Sequence, residues 1–276
     1  MKRRAVLSSL PLAVAGLFVA ASLATAHDTW LRAESGVAAV GSVVTFHLSS
    51  GEGFAADDFA IDRSRLRVAS VRLGHSTLPL VAVPRADTSR VGALLLRATL
   101  RTSGVATAWI DLAPRALALD SAKQVEYLDD IHATEAVLAR WRSTPAPHLW
   151  RETYVKHAKS FVRVGQASPL ESSWSTPVGV AVEIIPERDP TTLRAGDQLT
   201  VRVLRRGRPF GGMPLGAVHD GETQGEWHTT DARGRATFTI ARAGEWMLHG
   251  TDLRPVARAD REWESDFTTL TVHVRP

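Results

Sequence analysis

The sequence predicts a mainly β protein with two halves, an N-terminal β-sandwich-like domain carrying a helical insertion and a C-terminal immunoglobulin-like β-sandwich. Short β-branched segments recur along the chain, and Gly, Pro, Ser and Asp turn signals separate them. Only two segments, near 120–142 and 148–161, show a helical period instead. We therefore expect an N-terminal β domain over 27–165 that contains both helices, a linker at 166–177 and an immunoglobulin-like domain over 178–276.

The chain opens on a segment with the three parts of a secretory signal peptide. Residues 2–4 are basic, a long apolar run follows, and Ala24-Thr25-Ala26 has the small-x-small pattern of a cleavage site. We expect residues 1–26 to be removed and the mature protein to be periplasmic, exported by the general secretory route rather than the twin-arginine one. No later apolar run is long enough for a membrane span, so none is expected after cleavage.

Composition excludes several functional classes. The 33 Lys and Arg against 29 Asp and Glu give a net charge of +4, which falls to +1 without the three basic residues of the leader. No basic cluster with interleaved aromatic residues is present, so no nucleic-acid partner is expected. The absence of cysteine excludes disulfides and thiolate ligands. No nucleophile elbow, phosphate loop, dinucleotide fingerprint or His-Glu-x-x-His motif is present, so the protein is not expected to be an enzyme.

The N-terminal domain takes its predicted strands from apolar or alternating segments bounded by Gly, Pro and Ser. These segments are 42–48, 66–73, 77–83, 91–100 and 105–112.

The period changes after these strands. Between 120 and 142 there is no Gly or Pro, and Leu128, Ile131 and Leu138 recur at helical spacing behind a possible cap at Asp120 or Ser121. A second helix is predicted over 148–161, where apolar aromatic residues follow one another at helical spacing. We expect both helices to pack on the first sheet.

The linker is rich in Ser and Pro. The pattern of the remaining chain predicts about seven short strands, the number typical of an immunoglobulin-like sandwich. These strands are expected at 180–185, 199–204, 214–218, 226–230, 236–240, 244–248 and 267–274.

Several motifs in the C-terminal half follow one another in a recognisable order: Asp189-Pro190, Gly196-Asp197, Thr230-Asp231-x-x-Gly234 and Gly244-x-Trp246. With the Ala26-His27 opening, they resemble domain-of-unknown-function family 4198, a bacterial periplasmic family that includes accessory components of nickel and cobalt uptake systems. The resemblance covers nearly the whole mature chain. It implies a two-domain, mainly β periplasmic protein that handles divalent metals, with a membrane transporter component as partner.

Members of this family carry a histidine shortly after the Gly-x-Trp strand, and here His249 and Asp252 stand near that position. The resemblance therefore implies that one or both belong to a metal site. If Asp252 occupies the histidine's position, an oxygen ligand has replaced a nitrogen ligand, which weakens the case for nickel.

His27 is the principal candidate ligand from the residues themselves. Cleavage after Ala26 gives His27 an α-amino group beside its imidazole, and the two nitrogens together chelate one ion. Because Thr29 rather than histidine is in third position, the terminus cannot form the tight square-planar site alone. His47, expected to face outward from an alternating strand, could complete a two-histidine brace. The alternatives are a frayed terminus and an ordinary exposed strand histidine.

Other histidines have simpler explanations. Asp129, His132 and Glu135 would share one helix face and could bind metal, but a solvated face with ion pairs explains them equally. His157 is expected to be a hydrogen-bonded, half-buried histidine rather than a ligand.

The principal hypothesis is a periplasmic, non-enzymatic binding protein that captures or delivers nickel or cobalt, with His27, His47, His249 and Asp252 as candidate ligands. The same donors also suit Cu²⁺ and Zn²⁺. One alternative is a structural or interaction module that docks on a membrane or cell-envelope partner without metal. A weaker alternative is a copper oxygenase that uses His27 in a histidine brace.

Overall fold

The computed structural model describes residues 27–83, 92–145, 149–258 and 262–276; the predicted signal peptide at 1–26 lies outside them. In the first half the strands are β1 (Asp28–Ala33), β2 (Val37–Ala38), β3 (Val43–Gly51), β4 (Phe59–Ala60), β5 (Leu66–Leu73), β6 (Ser76–Pro79), β7 (Val81–Ala82), β8 (Leu94–Thr99), β9 (Gly104–Leu112), β10 (Arg115–Leu119) and β11 (Trp150–Val164). In the second half they are β12 (Val182–Pro186), β13 (Asp197–Arg205), β14 (Arg208–Pro209), β15 (Pro214–His219), β16 (Glu226–Thr229), β17 (Arg235–Ile240), β18 (Gly244–Pro255) and β19 (Trp263–Val274). The helices are α1 (Ser121–Asp130) and α2 (Glu135–Arg142). Short 3₁₀ turns lie at Arg63–Arg65, Ser173–Ser175 and Pro190–Thr192.

The first half is a sandwich of two sheets. One sheet has the strand order β1-β3-β8-β7, with β4 beside β3, and the other contains β11, β9, β5 and β6. Their facing side chains form a common core, which includes Leu31, Phe46, Leu96, Ile110 and Val162. The predicted mainly β, sandwich-like N-terminal half is confirmed.

The second half is a sandwich with immunoglobulin-like strand order. Strands β12, β13 and β17 form one antiparallel sheet with β14 at its side, and they face the order β16-β15-β18-β19. The core between them includes Leu199, Val201, Phe238, Leu248 and Leu270. If the short strand β14 is not counted, β12, β13 and β17 are the first, second and fifth strands of this half. Their position opposite the other four strands is the arrangement expected of an immunoglobulin-like sandwich, so the prediction is confirmed.

The two halves share a sheet across the predicted linker. Strand β11 pairs with β19 in parallel from Glu152↔Trp263 to Ser160↔Thr271, so one ten-stranded sheet runs through both halves. A buried ion pair adds to this junction, with Lys159 Nζ 2.8 Å from Glu183 Oε1. The segment 166–177 therefore separates two cores in sequence, while the hydrogen-bonded sheet crosses that boundary.

The predicted helix over 148–161 is wrong, because this segment forms the long strand β11. Its two faces are both buried: Ala158 and Val162 pack in the N-terminal core, while Phe161 packs in the C-terminal one. A strand covered on both sides loses the apolar–polar alternation that identifies a half-buried strand. The aromatic residues at apparent helical spacing therefore lie on opposite faces of a strand.

The predicted helical region at 120–142 exists but forms two helices. Asp120 caps α1 by accepting a hydrogen bond from Lys123 N at 3.0 Å, and Thr134 caps α2. Between them His132 has φ +48°, a left-handed conformation that ends α1. Asp129, His132 and Glu135 consequently do not share a helix face. No helix in the described ranges is long and apolar enough to cross a membrane.

Candidate metal-binding pocket

A cavity of about 650 Å³ lies where β1, the end of α1 and strands β16 and β18 meet. Three histidines that are far apart in the sequence line it: His27, His132 and His249. Carboxylate side chains also line it, and these are Asp28, Glu52, Glu126, Asp129, Asp130 and Glu222. Among the described residues that form its wall there is no Lys or Arg. The cavity thus combines imidazole donors with an excess of negative charge.

Packing of one sheet against the other positions His249 beside Asp28. The His249 Nδ1 atom lies 2.6 Å from Asp28 Oδ2, across the junction between β18 and β1. Asp28 therefore holds Nδ1 as the protonated nitrogen and leaves Nε2 as the nitrogen with a lone pair. This carboxylate–imidazole arrangement is the one that commonly orients metal-binding histidines.

Gly216 gives the His249 ring its room. Gly216 pairs with His249 in the β15–β18 register. A Cβ atom at this position would approach His249 Nε2 to 2.5 Å and Trp227 Cε2 to 2.8 Å. The absence of a side chain at 216 therefore allows both rings to lie against β15.

The charge of Asp28 is maintained by its neighbours. Burial alone would raise the pKa of this carboxyl. Electrostatic attraction and a hydrogen bond between His249 and Asp28, followed by the Lys156 ammonium, lower the pKa of Asp28 below its usual value. Asp28 is consequently an anion at the base of the pocket, where it can orient His249 or interact with a cation.

His27 is held at the rim of the pocket. Lys156 Nζ donates a hydrogen bond to the His27 carbonyl oxygen, and the His27 ring stacks on Phe59 with centroids 5.8 Å apart. Burial, followed by the Lys156 charge, lowers the pKa of His27, so its imidazole is neutral near pH 7. Burial also lowers the pKa of Lys156 itself, to about 8. These contacts argue against the frayed-terminus alternative for His27.

His132 enters the pocket through the left-handed residue after α1. Its ring stacks on Trp227 with a centroid distance of 3.9 Å, and Trp227 contacts His249 edge-on at 4.7 Å. Burial lowers the pKa of His132, and His249 lowers it further although Asp129 opposes this. Trp227 therefore lies between two imidazoles, a contact that the strand pattern of the sequence did not indicate.

His47 does not join His27. It is 3% exposed rather than facing outward as predicted, and its Nδ1 lies 3.5 Å from Asp57 Oδ2. The segment 52–58 covers this face of β3, with Asp57 also bound to Arg32 at 3.0 Å. In the β1–β3 register His47 pairs with Arg32, whereas Asp28, next to His27, pairs with Gly51 at the other end of the strand.

Asp252 also lies outside the pocket. It is three positions after His249 on β18, so the two side chains lie on opposite faces of the sheet. Its Oδ2 atom lies 2.9 Å from Arg205 Nε and 3.0 Å from Arg254 Nη1. Of the four predicted ligands, the structure brings His27 and His249 to one cavity and separates His47 and Asp252 from it.

Potential metal ligands line the same cavity, but they do not converge into a complete coordination site. Within 27–83, 92–145, 149–258 and 262–276, no group of three His, Asp or Glu side chains converges closely enough to hold an ion. The chemistry of the donors nevertheless suits Ni²⁺, Co²⁺, Cu²⁺ or Zn²⁺, since neutral imidazole binds all of these ions. The pocket can supply one or two nitrogen ligands and a negative surrounding field.

Comparison with known proteins identifies a family. The sequence matches the family described as "Domain of unknown function (DUF4198)" over residues 24–251. No curated protein gives a significant match. Similar solved structures include the D0-D1 domain of intimin (TM-score 0.23, 12% identity, 89% of this chain and 97% of that one). The Escherichia coli adhesin FdeC has a TM-score of 0.25 and 14% identity, covering 90% of this chain and 64% of that one. Because these TM-scores are low, the fold is described from the strand order of this chain and not from the similar structures.

Proposed function

The chain belongs to the family described as "Domain of unknown function (DUF4198)", and we propose that it is a periplasmic binding protein for a divalent transition metal. Nickel or cobalt is captured in the pocket of His27, His132 and His249 and passed to a membrane uptake component. The protein performs no catalytic step in this proposal. Residues 1–26 act as the cleaved signal peptide that exports it.

The observation that carries the proposal is the gathering of three imidazoles in one acidic cavity. They come from the start of β1, the end of α1 and the middle of β18. Metal binding requires the neutral form of imidazole, and burial lowers the pKa of both His27 and His132 toward that form. The surrounding carboxylates raise the local concentration of cations.

Two residues are assigned as the primary ligands. His249 would bind through Nε2 because Asp28 occupies Nδ1. His27 would bind through its imidazole and, once the leader is removed, through its α-amino nitrogen. The predicted ligand pair of His27 with His47 is thus replaced by His27 with His249.

Calorimetric titration of the protein that begins at His27 tests this function. We expect Ni²⁺ or Co²⁺ to bind at one site, with Cu²⁺ and Zn²⁺ titrated for comparison. His249→Ala should weaken binding at least about tenfold, the loss expected when a ligand is removed. His75→Ala removes an exposed histidine from a turn and serves as the matched control.

A second variant tests the terminal nitrogen. One residue added before His27 should weaken binding, because it converts the amine into an amide. Equal affinities for the His249→Ala and His75→Ala proteins would contradict the site. If no metal binds and an envelope partner is recovered equally with chelator present, the interaction-module alternative replaces the proposal.

A further inference from the structure

We propose that the metal enters this pocket as a chelate, already bound to a small organic ligand that is neutral or cationic, rather than as a bare ion. This inference depends on the proposed function, since it names the form in which the same site takes its cargo. Three properties of the cavity lead to it: its size, its shortage of assembled protein ligands, and the chemistry of its walls.

The cavity is too large for an ion alone. A divalent ion with six waters occupies roughly 200 Å³, because each water takes about 30 Å³ in the liquid. The cavity of about 650 Å³ is instead of the size that holds small organic molecules, about 300–1,000 Å³. A chelate of one or two amino-acid-sized ligands fills this space, whereas a bare ion leaves most of it to water.

The protein supplies too few ligands for a bare ion. No three donors converge in the described ranges, and two of the three histidines already have close partners. His249 binds Asp28 through Nδ1, and His132 lies flat against Trp227. One or two protein nitrogens at His27 and His249 suffice only if the remaining coordination positions are filled by ligands that arrive with the metal.

The walls fit an organic ligand. Besides its polar groups, the cavity is bordered by Trp30, Phe54, Met247 and Phe267, but these side chains are at most 3% exposed. Trp227 is partly exposed, and the His132 imidazole already covers one face of its indole. The exposed part of the indole supplies apolar contact to an organic ligand and offers no ligand atom to a metal ion.

The charge of the lining selects among chelates. Carboxylates line the cavity and no Lys or Arg does so among the described wall residues. An anionic chelate therefore meets repulsion, while a neutral or cationic one does not. Nickel with histidine, which forms cationic and neutral complexes, is the appropriate probe, and nickel with citrate is the anionic comparison.

Equilibrium dialysis with radiolabelled chelators tests the inference directly. Protein that begins at His27 is dialysed against Ni²⁺ alone, Ni²⁺ with labelled histidine, Ni²⁺ with labelled citrate, and each chelator without metal. We expect histidine to be retained together with nickel in a fixed ratio, only when nickel is present, and with at least about tenfold higher affinity than Ni²⁺ alone. Citrate should not be retained.

Variants at Trp227 separate the chelate from the ion. Trp227→Ala should lower the affinity for the nickel–histidine complex at least about tenfold and that for Ni²⁺ alone by less, because Trp227 also packs against the His132 and His249 rings. Trp227→Phe keeps an aromatic ring and most of the affinity. Equal losses for the complex and for Ni²⁺ alone would contradict a contact between the indole and the chelating ligand. Circular dichroism checks that each variant is folded. Retention of nickel without histidine would overturn the chelate while leaving the proposed function intact. Failure to retain nickel in any form would overturn both.

Discussion

Asp28 and His249 are the residues on which the pocket depends most. Asp28 is the second residue after the predicted cleavage site, yet its partner His249 lies 221 positions further along the chain on β18, with Nδ1 2.6 Å from Asp28 Oδ2. The sequence placed His27 and His249 among the candidate ligands, but the packing of β1 near β18, which belongs to the other sheet, could not be derived from local pattern. Asp28 was not singled out, because a lone carboxylate has no signal until its partner is known.

We expect Asp28→Asn to weaken metal binding about 10- to 100-fold, the usual effect of removing a carboxylate that orients a ligating histidine. The amide keeps the volume but no longer fixes the His249 tautomer. Calorimetric titration measures the change. Asp130→Asn, which removes a carboxylate from the same wall, is the control and should cost less; equal losses would mean that Asp28 contributes only its charge.

His157 forms a separate buried arrangement, with Nδ1 3.2 Å from Asp111 and Nε2 3.2 Å from Asp266. Burial opposes the charged imidazole, but its interactions with the Asp111 and Asp266 carboxylates prevail and raise the pKa of His157. Arg67 and Arg254 bind the same carboxylates and keep them ionised. The sequence expectation of a hydrogen-bonded histidine holds, although it is buried and on a strand.

Because the folded pKa of His157 is raised, its stabilisation is complete below the unfolded value of about 6.5 and disappears as pH rises through the folded value. We expect the free energy of unfolding of the native protein, relative to His157→Gln, to decrease as pH rises above about 6.5. Urea unfolding at several pH values measures this difference. A difference that does not change with pH would show that folding leaves the pKa of His157 unshifted, and a difference that increases with pH would show that folding lowers it.

Strand β11 is the element that the sequence misassigned and the one that organises the fold. It pairs with β9, β10 and β19 and contributes residues to both cores. Its aromatic residues at apparent helical spacing misled the prediction, because both faces are buried and no alternation remains. The other long strands could be predicted because one face of the strand is polar, or because turn residues mark the ends of the segment.

Glu152 at the start of β11 anchors α1. Tyr127 donates to its Oε1 at 2.9 Å, Trp150 to its Oε2 at 2.8 Å, and Ser265 also donates to Oε1. The carboxyl thus links α1, β11 and β19 beneath the cluster of Trp150 and Trp263.

We expect Glu152→Ala to lower the free energy of unfolding by about 3–5 kcal/mol, because it leaves three buried donors without an acceptor and opens a cavity. Glu152→Gln retains one acceptor oxygen and should cost less. Urea denaturation monitored by tryptophan fluorescence measures both. Equal, small losses would mean that water replaces the carboxylate.

The molecule as a whole is joined by its ten-stranded sheet. The pocket requires this junction, because His27 and His132 come from the first half and His249 from the second. The strand pattern predicted two β halves and the immunoglobulin-like class, and the order of the motifs indicated the family. They could not predict the parallel β11–β19 pairing, the left-handed residue at His132 or the loop that buries His47, since each depends on contacts between distant segments.

The buried ion pair of Lys159 and Glu183 gives a prediction for this junction. Glu183 also accepts hydrogen bonds from Val178 N and Gly179 N, at 2.8 and 3.0 Å, where the linker enters β12. Lys159→Met should cost about 3–5 kcal/mol, because it leaves a buried carboxylate unpaired. The double variant Lys159→Met/Glu183→Gln should recover part of this loss.

Chemical denaturation of the single and double variants measures the coupling, and we expect one cooperative transition in each. If the two single variants lost unfolding free energy in strictly additive amounts, Lys159 and Glu183 would not stabilise each other. Two separate transitions in the native protein would show that the halves unfold independently despite their common sheet.

Anomalous diffraction from crystals of the protein beginning at His27, grown with Co²⁺ and histidine, locates the ion itself. We predict one strong cobalt peak in the cavity between His27 and His249, with Asp28 still bound to His249 Nδ1. A peak at exposed histidines alone, or no peak in the cavity at saturating cobalt, would contradict metal binding in this pocket.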